Sequence, residues 1–394
     1  MNNSGMAGRS QLRIGHFCFA LDSSKGGVPS GVSTCIVQLN KYGILNQIFS
    51  MGNTKDQIIR NSPNLSSLAK AGVDFEYSLT RIPNDYGIGS LIGFNASLSK
   101  FSKSDLIVLH QVYTLSTFFG YRYAKKNGIP YAVFPHGSLT RYHESDGTFK
   151  KSIAKRIVFS RILRSADAII VTCESERSDL EEDLQCKAVL LPFGAEVTQE
   201  FFERQSIAVE DSKYIRILFS GRFDKKKNLP LLMAAMPLIV SVFPELILDV
   251  TGSGSEGARK ALTKLVHDLN IEKNVVFHGW VDKSEMGRLF RSASLLILPS
   301  ENENFALVVS EALSSGLPCV VSQFVGTSDI VARHHAGEII EELTRESVAA
   351  AVLKVLNGDQ LAYRKAAFKA ARDDLDWSKI ALKWKAMIGS LVVE

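Results

Sequence analysis

Short apolar runs, separated by segments of helical length, recur along almost the whole chain, and this alternation constrains the fold most. In the first half the runs are Leu12–Leu21, Gln47–Met51, Asp105–Leu109, Tyr131–Phe134, Ala168–Thr172 and Ala188–Leu191. Helical patterns fall between most of them, notably at Leu115–Asn127 and Phe149–Ser165. Strands joined by helices predict an α/β fold with a parallel, doubly wound sheet. Ligands of such sheets lie beyond the carboxyl ends of the strands.

The pattern lapses after Pro192-Phe193-Gly194-Ala195, and the polar stretch Glu196–Lys213 reads as an interdomain linker. It then restarts with a strand at Tyr214–Ser220 and a helix carrying Leu232, Ala235, Met236, Ile239, Val240 and Phe243. Leu246–Thr251, Asn274–Gly279 and Ala293–Pro299 read as further strands, and Ser284–Arg291 as a helix burying Met286, Leu289 and Phe290. Two doubly wound domains are therefore expected, 12–195 and 214–375, joined by linker 196–213. Residues 1–11 are expected to be disordered. A last helix, 376–394, carries one apolar stripe of Trp377, Ile380, Ala381, Trp384, Ile388 and Leu391.

The densest local pattern is Ser300–Ser322, S-E-N-E-N-F-A-L-V-V-S-E-A-L-S-S-G-L-P-C-V-V-S. It reads as a polar loop, a helix from about Phe305 to Ser315 stopped by Gly316 and Pro318, and a strand from Cys319. Glu303 falls at the helix entrance and Glu311 lies two turns inside. The backbone amides of Asn304, Phe305, Ala306 and Leu307 stand at the helix N-terminus, a ready place for an anion. An acidic first turn with one ordinary surface glutamate would read the same way. A sugar nucleotide would use all three: a carboxylate for sugar hydroxyls, amides for phosphate, a second carboxylate for the ribose diol.

Three other segments carry chemistry. Gly221-Arg222-Phe223-Asp224-Lys225-Lys226-Lys227-Asn228, at a strand end and a helix start, suits a diphosphate clamp, with Arg as a fork and Lys as a mobile point charge. A solvated charge run is the alternative. Lys25-Gly26-Gly27 and Ser30-Gly31 follow the first strand, where a backbone can approach a phosphate or sugar closely, or simply turn. His110 and His136 are expected just past strand ends; each is a candidate functional group or a structural hydrogen-bonder.

The net charge of +5 is too weak, and too free of interleaved aromatic and basic clusters, to argue for nucleic acid. It suits anionic ligands or an acidic membrane surface. Arg141–Arg164 holds seven Lys or Arg against two acids, either a solvated helix or a basic rim on anionic lipid. The five cysteines are scattered without metal or disulfide spacing, and no run approaches a membrane span. The first residues lack a signal-peptide layout, so a cytoplasmic location is expected, with a possible peripheral place at the inner face of the cell membrane.

The Ser300–Ser322 stretch closely resembles the E-x7-E signature of retaining glycosyltransferases of family 4, S-x-x-E-x-F-G-L-x-x-x-E-A. Asn304-Phe305-Ala306 stands where the family usually shows Gly-Phe-Gly. The basic loop resembles the family's G-R-L-x-x-x-K-G-x-x-x-L-L motif in register, with Asn228 in place of glycine, and Gly252-Ser253-Gly254 its G-(D/S)-G loop. Pro135-His136-Gly137 resembles its acceptor-facing histidine segment. The resemblance spans nearly the whole chain and is strongest over Ser220–Ser322.

It implies the GT-B architecture, two Rossmann-like domains facing across a cleft, with the C-terminal helix crossing back to the N-terminal domain. It implies retaining transfer of a sugar from a nucleotide-sugar to an acceptor hydroxyl, on a glycan or a lipid-linked glycan, in bacterial lipopolysaccharide, exopolysaccharide or other glycoconjugate synthesis. Arg222, Lys227 and the amides near Phe305 would stabilise the departing diphosphate, Glu303 would position the sugar, Glu311 the ribose, and His136 the sugar or acceptor. Gly26 and Gly27 would lie against the diphosphate, and the backbone of Trp280 and Val281 would meet the base. No cofactor and no essential metal are expected, and Asp374-Leu375-Asp376 is read as a helix start rather than a metal motif. The rivals are a GT-B-fold UDP-sugar 2-epimerase and a non-catalytic nucleotide-sugar-binding subunit.

Overall fold

A computed structural model describes residues 11–18, 21, 27–53, 63–80, 104–140, 153–197 and 215–392. The chain divides into two compact units, Met1–Phe193 with Trp377–Glu394, and Gly194–Asp376. Gly26, residues 1–10, most of the 196–213 stretch and residues 141–152 lie outside the described residues. So does most of the chain that separates β1 from the helix at Gly27.

The first unit is a parallel sheet of β1 (Arg13–Cys18), β2 (Leu45–Asn53), β3 (Asp74–Thr80), β4 (Leu106–His110), β5 (Tyr131–Phe134), β6 (Ala168–Val171) and β7 (Ala188–Leu190). Their spatial order is β3-β2-β1-β4-β5-β6-β7, the doubly wound arrangement expected. All five residues of β4 and all four of β5 and β6 are buried. Such strands are covered on both faces, which is why they read as unbroken apolar runs. The helix Leu115–Asn127 begins at Thr114, whose hydroxyl accepts from Thr117 N–H at 3.2 Å, and ends at Gly128 in the left-handed region (φ 62°). Gly120 lets this helix seat on the sheet, because an added Cβ would strike Leu109 and Phe17.

The second unit holds β8 (Arg216–Ser220), β9 (Ile247–Thr251), β10 (Val275–Gly279), β11 (Leu295–Leu298), β12 (Cys319–Ser322) and β13 (Gly337–Ile340). Every pairing is parallel, in the order β10-β9-β8-β11-β12-β13. The loops after β8 and β11 leave adjacent strands at the same sheet edge. The C-terminal helix Trp377–Val392 clusters with the first unit and packs on the helix Gly27–Lys41 and on β4. Its Trp377, Ile380, Trp384 and Ile388 are buried. The chain thus has the two-domain α/β GT-B fold.

Two expectations are corrected. His110 is the last residue of β4 rather than a residue beyond it. The helix expected from Phe305 starts only at Leu307, because Ala306 takes a left-handed conformation (φ 63°) that no helix continues through. Edge strands β3 and β13 escaped the apolar-run criterion. β3 alternates polar and apolar residues, and β13 begins on a glycine at φ 145°.

Candidate active site

The loop after β8 is shaped by Asp224. Its Oδ1 accepts from Lys227 N–H at 3.3 Å and caps a single 3-10 turn, Lys225–Lys227, while its Oδ2 pairs with Arg222 at 3.0 Å. Asn228 closes the turn at φ 53°, a conformation asparagine tolerates better than most residues. Glycine spacing carries the Lys227 side chain inward: an added Cβ on Gly221 would crowd its methylenes at 3.1–3.2 Å. Gly252, at φ 113°, approaches so closely that an added Cβ would overlap the Gly221 carbonyl.

The loop after β11 meets this one directly. Glu301 N–H donates to the Lys226 carbonyl at 2.7 Å, and Lys227 Nζ lies 3.0 Å from Glu303 Oε1, with both side chains 11% exposed. Lys226 Nζ stands 4.0 Å from the same oxygen. The Glu303 backbone is clamped on its other side: its N–H donates to Phe324 at 3.0 Å, and its carbonyl accepts from Gly326 at 2.8 Å. Glu303 is therefore fixed in its main chain, with its carboxylate turned to Lys227. The helix Leu307–Ser314 then opens after Ala306, with the Leu307 and Val308 amides in its first turn, where no intrahelical acceptor exists.

Glu311 lies in the same helix, with its side chain open to solvent. The surrounding protein nevertheless desolvates its carboxyl and raises the pKa above the ordinary value, with Lys283 pulling weakly the other way. Trp280 is 75% exposed just after Gly279, whose carbonyl accepts from Gly252 N–H at 2.7 Å. Val281 beside it is half-buried. Among the described residues no cluster of three or more His, Cys, Asp or Glu could hold a metal ion. Asp374 is engaged by His334 at 2.7 Å and by Arg333 at 2.9 Å.

In the first unit, Gly27 opens its helix with nothing within 4 Å of where a side chain would begin. His136 sits in a tight turn after β5, at φ 54°, followed by Gly137 at φ 78°. Glu176, itself buried, pins this turn by accepting from Gly137 N–H at 2.7 Å and from Thr172 N–H at 2.8 Å. His136 stacks on Phe134 at 3.9 Å, and burial lowers its pKa to about 3. Sequence reasoning missed Glu176, a lone acid in a charged segment, and missed the roles of Asp224 and Gly252, which need tertiary neighbours to be seen. The membrane reading of Arg141–Arg164 falls largely on residues outside those described. Among the described residues no helix is long and apolar enough to cross a membrane.

Two family models match the chain. Residues 68–194 fit the one described as Glycosyl transferase 4-like domain, and residues 200–374 the one described as Glycosyl transferases group 1. A "D-inositol 3-phosphate glycosyltransferase" of Corynebacterium glutamicum is 24% identical over 360 residues, 86% of this chain and 85% of that protein. An uncharacterized glycosyltransferase of Methanocaldococcus jannaschii is 33% identical over 154 residues, 39% of this chain and 38% of the relative. In that case the match spans well under half of the relative's length. The structure of Anabaena HepE in complex with UDP superposes with a TM-score of 0.74 at 16% identity, covering 96% of this chain and all of that one.

Proposed function

The chain belongs to glycosyltransferase family 4, and on that premise we propose that it is a retaining enzyme moving a sugar from a nucleotide-sugar to an acceptor hydroxyl. The observation that carries this reading is the Lys227–Glu303 contact at 3.0 Å, which joins the two loops beyond β8 and β11. A cation for phosphate and a carboxylate for sugar hydroxyls then stand side by side, next to a helix N-terminus.

In this reading Arg222, Lys227 and the amides at Leu307 and Val308 stabilise the charge that grows on the diphosphate as its bond to the sugar anomeric carbon breaks. Glu303 orients the sugar and Glu311 takes the ribose hydroxyls. The acceptor oxygen forms the new bond to the anomeric carbon and its proton passes to an oxygen of the leaving diphosphate. Nothing in that balance calls for a metal. Trp280 and Val281 border the base, Gly27 takes the diphosphate and the acceptor, and His136 the sugar or acceptor. The acceptor class proposed is a glycan or a lipid-linked glycan.

Release of nucleoside diphosphate from a panel of UDP-, GDP- and ADP-sugars, with and without EDTA, tests the proposal. Acceptor-dependent release that survives EDTA and is lost in Lys227→Ala supports it. Conversion of the nucleotide-sugar without an acceptor would favour the epimerase reading instead.

A further inference from the structure

Four polar side chains cross the first sheet on a diagonal. Asn46 of β2 is paired with Ile14 of β1, and His16 stands two residues further along β1. His16 is paired with Val108 of β4, and His110 stands two residues further along β4. His110 is paired with Phe134 of β5, and His136 stands two residues beyond it. A step of two keeps Asn46, His16 and His110 on one face of the sheet, and His136 follows in the turn after β5. The diagonal therefore runs from near the amino ends of β1 and β2 to the carboxyl edge, where such sheets hold their ligands.

The side chains form one continuous file. Asn46 Oδ1 lies 2.9 Å from His16 Nε2, His16 Nδ1 lies 2.9 Å from His110 Nε2, and His110 Nδ1 lies 2.9 Å from His136 Nε2. All four residues are buried. At the far end His136 Nδ1 has no hydrogen-bond partner among the described residues.

Asn46 sets the direction of the protons. Its amide nitrogen donates to the carbonyls of Ile44 at 2.6 Å and Ile36 at 3.4 Å, so turning the amide would set oxygen against oxygen. Its oxygen then requires N–H at His16 Nε2. Neutral His16 is left with a lone pair at Nδ1, which requires N–H at His110 Nε2, and the same step fixes His136. The reverse order would face the His16 lone pair with the Asn46 oxygen and bury an unpaired N–H on His136, the costlier defect. Burial holds all three imidazoles neutral at pH 7. It lowers His16 to about 4 against the Asn46 hydrogen bond and also lowers His110, whose two histidine neighbours add to the effect of burial.

We infer that Asn46, acting through His16 and His110, locks His136 as the Nε2-protonated tautomer, with an unshared lone pair on its buried Nδ1. Asn46, His16 and His110 are positioning residues. The service of His136 to sugar or acceptor rests on the transferase reading, whereas the tautomer lock does not.

The test is nitrogen-15 NMR of histidine-labelled protein at pH 7.5 without ligand, the three rings being assigned by single His→Gln variants. The inference expects protons on Nε2 and none on Nδ1 of His16, His110 and His136 in the wild type. It expects Asn46→Leu, which removes the acceptor facing His16, to move proton density to Nδ1 of His136. A proton on His136 Nδ1 in the wild type overturns the inference, as does an unchanged pattern in folded Asn46→Leu. Should that variant fail to fold, the wild-type spectrum still decides. The wild-type pattern in a protein that releases no diphosphate would uphold the lock and sink the transferase reading separately.

Discussion

Glu303 and Lys227 hold each other at 3.0 Å, although they sit on different loops and 76 residues apart in the chain. Adjacent parallel strands, β8 and β11, bring them together. Removing either charge leaves the other poorly solvated beside a neutral neighbour. Lys227→Met is expected to cost about 2 kcal/mol of stability, between the values for exposed and fully buried pairs. Glu303→Gln in that background should recover part of this loss, as a denaturation double-mutant cycle would show. Turnover should fall about 100-fold or more in Lys227→Met, which removes the cation proposed to carry transition-state charge.

Ala306 is in the left-handed region at φ 63°, where a Cβ costs roughly 1–2 kcal/mol. Ala306→Gly removes that strain at the expense of some unfolded-chain entropy. A net gain of about 0.5–1 kcal/mol is expected, read as a rise in melting temperature. By the same logic Asn228→Ala, at φ 53°, should destabilise by about 1 kcal/mol and Asn228→Gly should be near neutral.

Gly252 has no such latitude. An added Cβ would overlap the Gly221 carbonyl in a backbone already at φ 113°. Gly252→Ala is expected to cost more than about 3 kcal/mol, from overpacking combined with backbone strain. Gly257→Ala, where an added Cβ meets only Ser255 Oγ at 4.0 Å, is the control and should be benign. Urea midpoints of the two variants decide the matter.

The histidine file makes stability pH-dependent in a definite direction. The folded pKa values of His16 and His136, about 4 and about 3, lie below the unfolded value of about 6.5. Between these limits the unfolded chain binds more protons, so stability is complete above pH 6.5 and declines as pH falls towards 4 and then 3. Each histidine adds a slope of up to about 1.4 kcal/mol per pH unit. His16→Gln should flatten the acid limb of the urea midpoint against pH, and an unchanged limb would contradict the depressed pKa.

The central strands were readable because burial on both faces leaves a run such as Tyr131–Phe134 or Cys319–Ser322 without polar interruption. Edge strands β3 and β13 lack that cover, and their sequences resemble loops. Lys227 and Glu303 were each legible as loop residues near helix starts. Their contact was not, because no local pattern encodes that β8 lies beside β11. The Asn46–His16–His110–His136 file was illegible for the same reason: its members lie 26 to 94 residues apart and meet only through strand register. Glycine punctuation was visible at Gly252, but the carbonyl that demands it was not.

The most direct test of a nucleotide-sugar site beyond β8 and β11 is a thermal-shift panel of UDP-, GDP- and ADP-sugars without added metal, on wild type and Glu311→Ala. Saturation at 100 times the dissociation constant contributes about 2.7 kcal/mol, a shift of several degrees. The account predicts that one nucleotide series raises the wild-type melting temperature and that Glu311→Ala loses most of the rise. No shift with any of the three, with or without magnesium, or an undiminished shift in Glu311→Ala, would contradict it.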